Sequence, residues 1–126
     1  MDRVASAWQI LRFIDKKARF LWLASPADCP TDALGFDFDG VTFTHMGERV
    51  TFEVLLASFA LEADPGLAGL AQMVHALDVG GVASPEAQGF KSVMNGARLR
   101  FEDDDRLLQE ICNVLDSLYA HFRQSR

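Results

Sequence analysis

The chain has 126 residues, a length that suits one domain with a single continuous core. Hydrophobic residues make up 49% of it and charged residues 24%, which argues against disorder, and no apolar run approaches the roughly 20 residues that span a bilayer. The formal net charge of −6 argues against direct nucleic-acid binding by this domain, because such binding rests on clustered Lys and Arg. We therefore expect one domain over residues 1–126, with no membrane contact.

The cysteines and the N-terminal segment indicate a cytoplasmic location. Cys29 and Cys112 are the two cysteines, and neither stands in a CxxC pattern, so a reducing compartment fits best. The first residues, MDRVASAWQILRFID, mix acids and bases and contain no separate apolar segment, which is not the pattern of a signal peptide.

The first third of the chain predicts one helix followed by strands. Apolar residues at helical spacing predict a helix from about Arg3 to Asp15. Phe20–Ser25 is a short apolar run of strand length, and after a loop rich in turn residues Val41–His45 alternates like a strand. These segments predict a small sheet within residues 20–46.

The segment after His45 is ambiguous between two structures. VTFTH-MGER-VTFEV could form a hairpin with a four-residue turn. The apolar residues from Phe52 onwards have helical spacing, however, and Thr51 is a suitable N-cap. We favour a helix from about Phe52 to Leu61.

Three more helices are predicted from their start signals, which are Asp64-Pro65, Ser84-Pro85-Glu86 and the acidic run Glu102–Asp105. The first of them should end at about Asp78, because Gly80 and Gly81 follow. The predicted fold class is α+β, mostly helical with about five helices and the small sheet at residues 20–46.

Two polar residues fall on the apolar side of the helix that starts at Pro65. On a helical wheel, Asp78 lies in the middle of the apolar stripe and His75 lies at its edge, one turn earlier. A carboxylate in the last turn faces the negative end of the helix, and burying it without a partner would add a desolvation cost. We therefore expect Asp78 to be buried and to meet a cationic group.

Two further polar residues invite a common explanation. His45 should point inward from its predicted strand, and by itself such a histidine is typical of a hydrogen-bonded core residue. Glu53 is explained by its place in the first turn of a helix. Two histidines and two acids together resemble the mixed nitrogen and oxygen sites that bind Zn, Fe, Mn, Ni or Cu. The four candidate metal ligands are His45, Glu53, His75 and Asp78. From these residues alone, a metal site and a buried polar network stay open as alternatives.

Four stretches of the chain point to a known family. DRVASAWQILRFID, FTHMGERVTFEVLL, MVHALDVG and DSLYAHF occur in this order along nearly the whole chain. In sequence and spacing they resemble the chromate-resistance family, the domain found at the C-terminus of ChrB-type chromate-resistance regulators and also as a standalone protein.

The resemblance can be followed residue by residue. The family's first motif, roughly D-R-x-A-S-A-W-L-I-R-R-F-I-D, matches at Asp2, Arg3, Ser6, Trp8, Arg12 and Asp15. Gln9 and Leu11 depart from it, so the arginine that would precede Arg12 is missing. The second motif, H-x-G-x-x-x-T-F-E, matches at His45, Gly47, Thr51, Phe52 and Glu53, and the third, V-H-x-x-D, matches at Val74, His75 and Asp78.

The resemblance implies a role in chromate resistance, in which a ChrB-type protein is thought to regulate expression of a chromate efflux pump in response to chromate. Full-length regulators carry an additional N-terminal portion, which is the better candidate for DNA contact. This domain could depend on such a preceding segment or on another chain.

Three hypotheses follow for the function. The first is a metal- or chromate-responsive binding module, in which the four candidate ligands hold a divalent transition metal ion and Arg3 or Arg12 pairs with chromate or another oxyanion. The second is a small metal-dependent enzyme of unknown substrate, with Glu53 as a base and its catalytic residues otherwise unknown. The third is a structural polar network in a protein that docks to a partner. A homodimer and a partner protein both stay open.

Overall fold

The computed structural model describes residues 2–20, 49–81 and 83–125. Apart from a single bridge residue at Arg49, every regular element in these ranges is helical. The helices are α1 (Asp2–Gln9), which a π-helical turn (Ile10–Ile14) continues, α2 (Thr51–Ser58), α3 (Pro65–Asp78), α4 (Pro85–Arg100) and α5 (Asp104–Ser125).

The predicted α+β class with a small sheet is wrong, because the described part of the chain is built from helices. The sheet was inferred from apolar runs of strand length, a signal that does not separate strands from other buried segments. Phe20 is described and has no regular structure, whereas the rest of the two predicted strands lies outside the described residues. The helix favoured over a hairpin after His45 is confirmed as α2.

The start and end of α3 follow the local signals closely. The Asp64 side chain caps the helix by accepting hydrogen bonds from the backbone N–H groups of Gly66 (2.9 Å) and Leu67 (3.2 Å). Beyond its end, Gly80 has a φ of +86° and Gly81 a φ of +83°, a backbone conformation that other residues rarely adopt. The predicted bounds of α3 are therefore confirmed.

The cap of α2 differs from the prediction. Val50, rather than Thr51, is the N-cap, and its backbone is extended. Valine has no side-chain acceptor, so the helix start is stabilised from within the first turn, where Glu53 accepts a hydrogen bond from the Val50 N–H at 3.1 Å. This contact fixes Glu53 at the head of α2.

Helix α5 packs most extensively along α3, and α1 and α4 also pack against it. The helical spacing of the sequence predicts an apolar stripe on this helix, and all of its residues except the half-buried Leu118 are buried: Leu107, Leu108, Ile111, Leu115, Tyr119 and Phe122. On α4 the same spacing predicts an apolar stripe of Phe90, Val93, Met94, Ala97 and Phe101, but Val93 is 44% exposed. None of the helices in the described ranges has the length and apolar character needed to cross a bilayer.

Two glycines let α3 and α5 approach each other closely. A Cβ atom added at Gly66 would lie 2.6 Å from side-chain atoms of Tyr119 and Arg123, and one added at Gly69 would lie less than 3.0 Å from the Phe122 side chain. Real Cβ atoms do not make such contacts. The spacing between α3 and α5, and with it the position of the residues that α3 carries, depends on these two glycines.

Candidate functional site

The structure brings Glu53 and His75 together. Nδ1 of His75, on the last turn of α3, lies 2.7 Å from Oε1 of Glu53, on the first turn of α2. The two side chains are 17% and 27% exposed respectively, so the contact is shielded from solvent but reachable. Among the described residues, no other side chain is hydrogen-bonded to the ring of His75.

This pair was not predicted from the sequence as a pair. Glu53 and His75 are 22 residues apart on different helices, and the sequence suggested Asp78 as the neighbour of His75. The contact forms because α2 and α3 pack against each other, with the head of α2 beside the last turn of α3. Both residues were candidate metal ligands, and these are the two that the structure brings into contact.

The pair lies at the wall of a cleft with a volume of about 320 Å³. The cleft runs between α2 and α3, and both acidic and basic side chains line it. Its lining residues are Arg49, Glu53, Leu56, Glu62, Ala68, Ala71, Gln72 and His75. Gln72, in the wall of the cleft, connects α3 to the segment before α4, because its side-chain amide donates a hydrogen bond to the Ala83 carbonyl at 2.5 Å.

Three polar lining residues, Arg49, Glu62 and Gln72, were not singled out from the sequence. Each has an ordinary local explanation as an exposed polar residue, and each is exposed in the structure. A single helix or loop carries no signal of which distant residues share a cleft with it. Arg49 adds to the site a cation of the kind that was predicted at Arg3 and Arg12.

The prediction that Asp78 is buried is wrong. Its side chain is exposed, and it is not among the residues that line the cleft. From His75 onwards each residue of α3 is half-buried or exposed, although Ala76 and Leu77 still pack against the core. The helical wheel gives the direction of a side chain and not where the neighbouring helices end.

His45 lies outside the described residues, so its place relative to His75 stays a prediction. Within the described ranges, no group of three or more His, Cys, Asp or Glu side chains comes together as a metal site would require. Of the predicted ligands that the structure describes, Glu53 and His75 are adjacent, and Asp78 does not form a group with them.

Arg12, one of the two predicted oxyanion-binding arginines, lies on the π-helical turn in an aromatic and acidic environment. Its guanidinium donates to Oδ1 of Asp116 at 2.7 Å and lies 4.5 Å from the ring centroid of Tyr119. Oδ1 of Asp116 also accepts from the Trp8 indole at 2.9 Å. Arg12 thus fastens the π-helical turn to α5. Arg3, the other predicted arginine, is exposed on α1.

Tyr119 continues this network toward α3. Its hydroxyl donates to Oδ2 of Asp64 at 2.6 Å, the same carboxylate that caps α3. Burial, together with the hydrogen bond to Asp64, raises the pKa of Tyr119 above its ordinary value. The tyrosine therefore stays a neutral donor, and the start of α3 is anchored to α5.

Comparison with known proteins places this helical domain, with its His–carboxylate pair in a cleft, in a family. The model of the family described as "ChrB, C-terminal domain" matches residues 1–122. The chain is also 63% identical over 126 residues to Protein ChrB of Cupriavidus metallidurans, a match that covers all of this chain and 39% of that protein. No solved structure matches the chain.

The chain belongs to the ChrB C-terminal domain family. The predicted membership in the chromate-resistance, ChrB-type family is thereby confirmed. The chain spans about 39% of the length of the curated relative that it matches.

Proposed function

We propose that this domain acts in chromate resistance as a metal- or chromate-responsive binding and regulatory module, with a His–carboxylate metal site built on Glu53 and His75. The observation that carries the proposal is the 2.7 Å contact between these two side chains at the wall of an accessible cleft. Membership in the ChrB C-terminal domain family supports the biological context.

The chemistry of the pair suits a divalent transition metal ion. Imidazole nitrogen and carboxylate oxygen are common ligands of Zn, Fe, Mn, Ni and Cu, and such sites use at least three protein ligands. His45 and Asp78 remain the proposed additional ligands. His45 would reach the site from the segment that precedes α2, and Asp78 from the helical turn after His75.

An oxyanion would need a cation beside this metal. Arg3 and Arg12 are the proposed partners from the sequence, and Arg12 keeps guanidinium donors beyond the one used by Asp116. Arg49 lines the same cleft as His75, which makes it a third candidate. A bound metal would offset the charge of Glu53 and Glu62 and so favour entry of an anion such as chromate.

The first test is elemental analysis by mass spectrometry of protein purified without a metal-affinity tag. We expect about one equivalent of a transition metal in the parent, its loss in His75→Ala and His45→Ala, and its retention in His121→Ala. His121 is the matched control, because it is an exposed histidine on α5 that pairs with Glu86 outside the cleft.

Chelation gives the second readout of the same proposal. Metal that binds only the folded protein raises stability by about 2.7 kcal/mol at a concentration of 100 Kd, so removal should lower Tm by several degrees. A parent protein that is metal-free, and gains no thermal stability from added divalent ions, would overturn the metal site and favour a structural Glu53–His75 pair.

A small metal-dependent enzyme is the second candidate, and the cleft beside His75 favours it, since a volume of about 320 Å³ leaves room for a small ligand. Binding and catalysis differ in stoichiometry. If the metal-loaded protein, supplied with an excess of a reductant, consumes many equivalents of added chromate faster than the reductant does alone, and His75→Ala does not, the domain is an enzyme. Saturation at about one equivalent indicates a binding module.

A further inference from the structure

The Glu53–His75 contact has a direction that the sequence did not indicate. Oε1 of Glu53 receives two contacts, from the Val50 N–H at 3.1 Å and from Nδ1 of His75 at 2.7 Å. A backbone N–H can only donate, so Oε1 is an acceptor at this point. For a carboxylate, which has no proton to donate, the second contact is a hydrogen bond only if Nδ1 of His75 carries a proton.

We propose that Glu53 is a positioning residue for His75, which holds the ring proton on Nδ1 and leaves Nε2 as the nitrogen that binds a metal ion in the cleft. This inference deepens the proposed metal site and, for the metal itself, rests on it. It changes the part of Glu53 in the proposed metal site from a direct ligand to a residue that orients His75, and it replaces the role of a base that the enzyme hypothesis gave it.

The assignment follows from the proton count of imidazole. A neutral ring carries one proton, so a proton on Nδ1 leaves the lone pair on Nε2, and the hydrogen bond made by one nitrogen decides the state of the other. Free histidine favours the opposite tautomer, with its proton on Nε2. Glu53 therefore selects a state that the ring would not prefer by itself, and that state is the one able to ligate through Nε2.

The local structure makes this selection rigid. Glu53 is held at the head of α2 by the Val50 N–H, so its carboxylate cannot turn away without losing the helix's first-turn hydrogen bond. Histidine ligands of metals commonly donate their other ring N–H to a carboxylate in this way, which orients the ring and raises its basicity. With Oε1 occupied twice, only Oε2 of Glu53 remains for any contact of its own.

The test reads the tautomer directly, without metal. Long-range ¹H–¹⁵N correlation spectra of metal-free protein at pH about 8.5, well above the ordinary histidine pKa of about 6.5, distinguish a protonated from an unprotonated ring nitrogen. The peaks of His75 are identified by their loss in His75→Gln. We expect a protonated Nδ1 and an unprotonated Nε2 in the parent, and the reverse in Glu53→Ala.

Two further variants separate positioning from a general effect on the fold. In Glu53→Gln the Val50 N–H still demands an oxygen at the same place, so the amide carbonyl accepts from Nδ1 and the parent tautomer persists. Glu86→Gln is the matched control, since Glu86 contacts His121 through Nε2, and it should leave the His75 spectrum unchanged.

Metal affinity is measured in a separate experiment. For Glu53→Ala we expect metal affinity to fall by about 10- to 100-fold, with a smaller loss in Glu53→Gln. A parent that already has its proton on Nε2, or a Glu53→Ala variant that keeps the parent tautomer, overturns the positioning role whatever the metal content. Correct tautomers in a protein that binds no metal uphold the positioning role and refute the proposed metal site alone.

Discussion

Replacing Gly69 with alanine tests whether the close approach of α3 and α5 determines the stability of the domain and the position of His75. The new Cβ would lie less than 3.0 Å from three side-chain atoms of Phe122, namely Cβ, Cγ and Cδ1. Phe122 is buried, with 6% of its surface exposed, and its own Cβ is among these atoms. Rotation of the ring alone therefore cannot relieve the overlap, and the two helices must move apart.

The magnitude follows from two opposing effects. Overpacking of this kind costs about 1–3 kcal/mol, and the involvement of the Phe122 Cβ places Gly69→Ala toward the upper part of that range. Alanine in a helix interior recovers about 1 kcal/mol relative to glycine. The net expectation is a destabilisation of about 1–2 kcal/mol.

Gly96→Ala on α4 supplies the matched control. Gly96 is also inside a helix, but a Cβ there meets nothing within 4 Å. We expect this variant to be about 0.5–1 kcal/mol more stable than the parent. Both variants gain the same helix propensity, so the difference between their free energies of unfolding is the packing cost alone, about 2–3 kcal/mol.

Thermal and urea unfolding measure this difference. For a domain of this size, 1 kcal/mol changes Tm by about 3–5 °C, so the two alanine variants should differ by about 6–15 °C. In the same samples, metal-free spectra of His75 show whether displacement of α3 disturbs the contact with Glu53. If Gly69→Ala is at least as stable as Gly96→Ala, the approach of α3 and α5 at Gly69 imposes no packing cost, which would refute this prediction.

Two further predictions concern α5. Asp116→Ala removes the acceptor shared by the Trp8 indole and Arg12. Because the Asp116 side chain is half exposed, water replaces part of the lost hydrogen bonding, and we expect urea unfolding to show a destabilisation of about 1 kcal/mol, with a smaller one in Asp116→Asn. An unchanged unfolding midpoint would contradict this. Burial, with a smaller contribution from the carboxylate of Asp116, raises the pKa of Cys112 from 9.0 to about 11. In a Cys29→Ser background, iodoacetamide should therefore alkylate the folded protein at pH 8 at least about tenfold more slowly than the urea-unfolded protein. Because the folded pKa is the higher one, the stability that the neutral thiol contributes is present below pH 9.0 and declines as the pH rises toward 11; equal alkylation rates in the two states would show that the thiol is not buried.

The local signals in the sequence were sufficient for the helices that it predicted correctly. Asp64 followed by Pro65 marks the start of α3, and glycine at position 80 marks its end, because capping and positive φ angles depend on a few neighbouring residues. The apolar spacing from Phe52 likewise identified α2 against the hairpin alternative. These features need no knowledge of the rest of the molecule.

The errors arose where a local pattern was extended to tertiary position. Asp78 lies on the apolar side of its helical wheel, yet it is exposed, since its burial depends on where the neighbouring helices end and the wheel does not show this. Val93 follows the stripe of α4 and is exposed for a related reason, since burial depends on which neighbouring helix covers each turn. The predicted sheet came from apolar runs that carry no information on pairing.

By itself, the sequence determined the family, the helical segments with their caps, and the residue types from which a site could be made. Only the tertiary structure decided that His75 contacts Glu53, where the sequence had suggested Asp78 as its neighbour, and that Arg49 lines the same cleft. The physical reason is that helix formation and capping are short-range, whereas the neighbours of a side chain depend on how helices pack. Gly66 and Gly69 are a second example, because they lie against Tyr119 and Phe122 of α5, contacts that no neighbouring residue in the sequence indicates.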